Sequence, residues 1–142
     1  MAVLAAMLAL AGSSRADLKR ALAEPNLEKR SGLALENAMA AYKEARAAYE
    51  KGETERVVAG IAEIGESVEL AHTSLKETGK DPRRSPKWFK KAEIETRELM
   101  KRLDAFEREM GFNDRPMLAK VKAQVQQCHD ELLVGLMEGK RK

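Results

Sequence analysis

The sequence predicts an all-α protein, an up-and-down antiparallel four-helix bundle preceded by a short helical lead-in. Three observations predict it. Apolar residues recur in alternating steps of three and four along four segments of similar length. Glycines and prolines cluster between those segments. Aromatic residues make up only 4% of the 142 residues, and the β-branched and aromatic runs that build sheets are missing.

The boundaries follow from the breakers. Pro25-Asn26 opens the first long segment, at about 27–51. Gly52, Gly79 and Gly111 each close a segment, where a residue of positive φ is wanted. Glu53 or Thr54 opens the second, at about 54–78. Ser85-Pro86 reads as cap and first residue of the third, at about 86–110. Asn113-Asp114 before Pro116 does the same for the fourth, at about 115–138. Roughly 25 residues make a helix of about 37 Å. Matched lengths let such helices pack side by side along their whole extent.

Each segment carries one apolar seam. The first has Leu35, Ala38, Tyr42, Ala45 and Tyr49. The second has Val57, Ile61, Ile64, Val68, Ala71 and Leu75. The third has Phe89, Ala92, Thr96, Leu99, Leu103, Phe106 and Met110. The fourth has Leu118, Val121, Val125, Cys128 and Leu132. Seams of this spacing favour shallow left-handed crossings. The first segment is alanine-rich, so its neighbour can approach closely. Residues 17–24 form the lead-in, with Leu18 and Leu22 as its apolar edge and Pro25 as its stop. The stretch AAYKEARAAYEKGETERVVAGIAEI resembles the helix hairpin of a tetratricopeptide repeat. Its helices are about twice as long as that repeat allows, and a solenoid needs several copies. The resemblance implies a shared hairpin and no more.

Charged residues are 35% and apolar residues 44%, as expected of one dry stripe per helix. The net charge of +3, from 26 basic and 23 acidic residues, is too balanced to signal nucleic acid. The single cysteine excludes an internal disulfide. Residues 2–12 are an uncharged apolar run of signal-peptide length, and Ser14 and Ala16 suit cleavage before Asp17. Residues 1–16 are therefore read as a signal peptide and the product as exported, periplasmic or secreted. No Lys or Arg precedes the run. The alternative is an apolar N-terminal helix docked on the bundle of a cytoplasmic protein.

Catalytic signatures do not emerge. G-x-S-x-G, Walker A and H-E-x-x-H are all missing, and the carboxylates alternate with Lys and Arg at surface spacing. The expectation is no enzyme. Glu69-x-x-His72 and Gln126-x-x-His129 have the spacing that di-iron bundles use, with Glu36 and Glu95 at similar heights. The facing opposes a metal. At about 100° per residue, Glu69 lies roughly 120° from its seam and Glu36 further. The two histidines lie about 60° off theirs, on flanks open to water. No metal and no cofactor are expected. Cys128-His129 is half of a haem-attachment motif, with Val125 where the first Cys would stand, so Cys128 reads as a small core residue.

Two anomalies remain. Lys80, Arg83, Arg84, Lys87, Lys90 and Lys91 crowd the connection into the third segment, opposed by Asp81 alone and holding the only tryptophan, Trp88. A helix N-terminus there adds its own positive end. This is a candidate site for an anionic polymer, a lipid headgroup or an acidic protein. The competing reading has Trp88 and Phe89 plug the bundle end while the basic residues solvate it. Second, Leu70, Ile94 and Leu133 face away from their seams at similar heights, as a partner surface would. The expected function is a binding or structural module, with a metal- or cofactor-carrying bundle and an accessory or chaperone-like protein as alternatives. A homodimer is compatible with all three.

Overall fold

The computed structural model describes residues 13–139, and the side chains from Leu18 onward. The apolar run 2–12, read as an export signal, lies outside the described residues, as does the tail Lys140-Arg141-Lys142. The described chain is all-helical: α1 (Ser13–Ala23), α2 (Leu27–Glu50), α3 (Thr54–Glu77), α4 (Pro86–Glu109), a 3-10 turn (Arg115–Leu118) and α5 (Ala119–Glu138). Helices α2 to α5 form a four-helix bundle of alternating direction, and α1 lies along α2 and reaches α3.

The lateral order follows from which helices touch. The α2 helix borders α3 and α4, α5 borders α4 and α3, and α2 does not meet α5. The α3 and α4 helices therefore stand across a diagonal and make few contacts. The connection between them, residues 78–85, crosses one end of the bundle. This accounts for its length, since the other tight connections join lateral neighbours.

Every expected seam residue except half-buried Tyr49 is buried. Burying a large apolar side chain contributes about 1.5–3 kcal/mol, so residues such as Ile64, Leu99, Leu103 and Phe106 dominate the favourable side. Asn26 caps α2 by accepting from the Lys29 N–H at 3.0 Å. Gly52 and Gly79 take positive φ, as expected.

Four expectations are corrected. Gly111 does not take positive φ: α4 ends at Met110, in extended backbone, and the Gly111 N–H donates to the Tyr49 hydroxyl at 2.9 Å. Asp114 does not cap the last helix, because its carboxylate accepts the Tyr49 hydroxyl at 2.9 Å, and α5 starts after a 3-10 turn. Leu70 does not face outward. It is half-buried against the core, because α3 buries an arc wider than its seam that extends to Glu63, Ser67 and Ser74 on the side of α2. His129 is not open to water, while His72 is half-buried and keeps part of its flank exposure. His129 is buried with its Nε2 3.0 Å from Glu93, and His72 lies 3.1 Å from Glu131.

Candidate functional site

The crossing connection brings the basic residues together at one end of the bundle. Asp81 organises the turn, accepting the Arg83 N–H at 2.9 Å, while its carbonyl accepts from Arg84 and Ser85. Pro86 starts α4, but Ser85 makes no side-chain cap, so the first-turn amides of α4 stay open to other acceptors. Gly139, just after α5, packs close to Arg83 and Asp81.

The six cations divide into two groups. Lys80 is tied to Glu28 of α2 at 2.7 Å, and Lys91 approaches Glu95 at 4.0 Å. Arg83, Arg84, Lys87 and Lys90 are exposed, with no carboxylate within ion-pair distance among the described residues. Trp88 is half-buried and packs over Gly32, where a methyl group would meet the indole at 3.2 Å. The Lys87 and Lys91 ammonium groups stand 5.6 and 5.2 Å from its ring centre, within cation–π range. Phe89 is buried in the core. Phe89 therefore plugs the bundle end, and Trp88 sits at its edge with cations around it.

Beneath the crossing connection, between the C-terminal ends of α3 and α5, lies a cleft of about 300 Å³. Its floor is Leu75, Phe89 and Leu132, and Pro82 roofs it. Lys76 and Lys80 stand on its rim, and the His72–Glu131 pair forms one wall. Burial holds His72 below the usual histidine range, with Lys76 lowering it further and Glu131 opposing. Sequence reasoning missed this cleft. The available signals were Gly79 at the cleft's edge, Gly135 and Gly139, against which Pro82 and Arg83 pack closely, and His72 and Lys76 four apart on one flank of α3. A second pocket, of about 310 Å³, lies at the opposite end between Tyr49, Thr54 and Asp114.

The remaining candidates separate. Ile94 and Leu133 are exposed, as are Val134 and Met137 one turn along α5 from each other. Glu36 and Glu69 face solvent, as their spacing predicts. Among the described residues no three His, Cys, Asp or Glu side chains converge as metal ligands. Cys128 is buried, and burial first, then Glu131, pushes its thiol up to about 12, which keeps it an unreactive core residue at neutral pH. No helix among the described residues is long and apolar enough to cross a membrane. No family model, curated protein or solved structure matches the chain.

Proposed function

We propose that this is an exported, non-catalytic binding module that takes an anionic polymer on its basic bundle end. One observation carries the reading: Arg83, Arg84, Lys87 and Lys90 stand together without carboxylate partners among the described residues, beside the uncapped start of α4. Elsewhere on the surface some cations are ion-paired, as in Arg46–Glu109, Arg102–Glu98 and Lys122 between Asp104 and Glu107, and the others are spread along the chain among carboxylates rather than gathered in one stretch. Four clustered cations attract a polyanion through long-range field and bind it by charge-assisted hydrogen bonds.

Trp88 lies close enough to report binding. Heparin, polyphosphate or anionic vesicles should change its fluorescence, and raising the salt should weaken the response as the Debye length shrinks. Arg83→Ala/Arg84→Ala should abolish the response and leave the urea melt unchanged. An identical response in wild type and double mutant would sink the reading. A response to vesicles alone would replace the polymer with a lipid headgroup. Export rests on the apolar run and the Ser14/Ala16 pair, and N-terminal sequencing from the native host should find a chain starting near Asp17. A second reading has one favourable observation: Ile94, Leu133, Val134 and Met137 are exposed on α4 and α5, as on an accessory protein's partner face.

A further inference from the structure

We propose that the cleft beneath the crossing connection binds a small amphiphilic anion, a carboxylate or sulfonate on an apolar body. The proposal does not rest on the polymer reading. It uses the inner wall of the same bundle end and depends on Lys76, which that reading does not invoke.

The shape argument comes first. A cleft of about 300 Å³ is at the lower bound of small-molecule sites, which are mostly apolar with a few polar groups at set points. At the roughly 30 Å³ that a water-sized group occupies in the liquid, it accepts about ten heavy atoms. The floor residues Leu75, Phe89 and Leu132 present no polar side-chain atoms and belong to the core. Gly135 and Gly139 let Pro82 and Arg83 pack closely on the α5 side, and the apolar floor remains part of the cleft lining. Water resting there gives up hydrogen bonds, and its release favours an apolar occupant.

Charge selects the head group. Lys76 is exposed on the last turn of α3 and pairs with no carboxylate among the described residues. Lys80, on the same rim, is held by Glu28 from outside the cleft. Glu131 is the one carboxylate on the lining, and it is engaged by His72 Nε2 at 3.1 Å. The rim thus offers an available ammonium to a ligand's anionic end, and Glu131, which keeps its charge beside a neutral His72, has one oxygen held by that ring.

Octanoate has about the size that the cleft accepts. Calorimetric titration of the full chain with octanoate, 1-octanol and octyltrimethylammonium, all below micelle formation, tests the proposal. Octanoate should bind once per chain, octanol about tenfold more weakly, and the cation not at all. The chain has only two histidines, which gives a local control. The His72 ring resonances should move with octanoate, and those of His129, held by Glu93 outside the cleft, should not. Lys76→Glu changes an exposed residue and should weaken octanoate about tenfold. Arg83→Ala/Arg84→Ala should leave octanoate binding intact while removing the heparin response, so the two proposals fail separately. Non-saturable octanoate binding, equal binding of the cation, equal shifts at both histidines, or an unchanged affinity in Lys76→Glu would each overturn the site.

Discussion

The two hairpins of the bundle are built on opposite packing rules. The α2–α3 pair meets through small residues. Ala34, Ala38, Ala41, Ala45 and Ala48 of α2 are all buried, as are Gly60, Ser67, Ala71 and Ser74 of α3. The fit is close enough that a methyl group on Gly60 would lie 2.9 Å from Ala45 Cβ and 3.3 Å from the Ala41 carbonyl oxygen. The α4–α5 pair meets through Phe89, Leu99, Leu103 and Phe106 against Val121, Val125 and Leu132, with Leu118 of the 3-10 turn beside them. One hairpin gains from backbone approach and dispersion contacts, the other from the transfer of large side chains out of water. They should therefore fail in opposite ways. Removing volume should damage α4–α5 most, and adding volume should damage α2–α3.

The largest expected effect is at Phe106. Its ring meets Tyr42 and Tyr49 edge-on, with centroids 6.1 and 5.7 Å apart, so it joins the large-residue hairpin to the small-residue one. Phe106→Ala should cost about 3–5 kcal/mol, measured by urea melts. A loss under about 1 kcal/mol would mean that the two hairpins are not coupled through this ring.

Gly60→Ala tests the other rule. Alanine is the better helix former, by about 1 kcal/mol over glycine, so propensity alone predicts a gain. Contact with the Ala41 carbonyl and the Ala45 methyl predicts a loss, because neither group is a flexible side-chain end. Overpacking costs typically 1–3 kcal/mol, so the net expectation is a destabilisation of up to about 2 kcal/mol. A stabilised Gly60→Ala protein would show that α2 and α3 have slack, and the contrast between the hairpins would collapse.

Much of this architecture is legible in the sequence, for a physical reason. A seam at alternating threes and fours names the buried face of a helix without any knowledge of its neighbours. The identity of those neighbours is a different matter. The spacing of Gly79 and Pro86 shows a longer connection, but nothing local says that it crosses a diagonal. Leu70 and Asn37 were illegible for the same reason. Each lies outside its seam and is partly or fully buried only because the small-residue interface is close, and Asn37 there donates to Ser67 at 2.9 Å. His129 shows a third limit: Glu93 meets it from 36 residues away, on a helix whose register against α5 the sequence does not state. The basic cluster was legible as composition. The cleft below it was not, since it arises where three chain segments leave a gap.

The smallest effects belong to the carboxylates at the α2–α4 border, and they carry a sign. Burial is the first cause that raises the Glu95 carboxyl above the usual range. Lys91 lowers it, and Glu36 raises it further. One oxygen of Glu95 is buried without a hydrogen-bond partner. A carboxyl raised in the folded state contributes its stability fully below the unfolded value, and that contribution is lost as pH rises through the folded one. At pH 7 Glu95 should therefore be a small net cost. Glu95→Gln should raise stability there by less than about 1 kcal/mol, with the gain vanishing below pH 4.5, the ordinary carboxylate value. Glu36→Ala should act in the same direction and more weakly, within about 0.5 kcal/mol, by removing the nearby like charge. Glu69→Ala, exposed on α3, should change nothing measurable. The three melts, taken at pH 4 and pH 7, separate a titrating border from an inert surface. If Glu95→Gln lowers stability at pH 7, the Lys91 attraction at 4.0 Å outweighs burial, and the border between α2 and α4 is wetter than its packing implies.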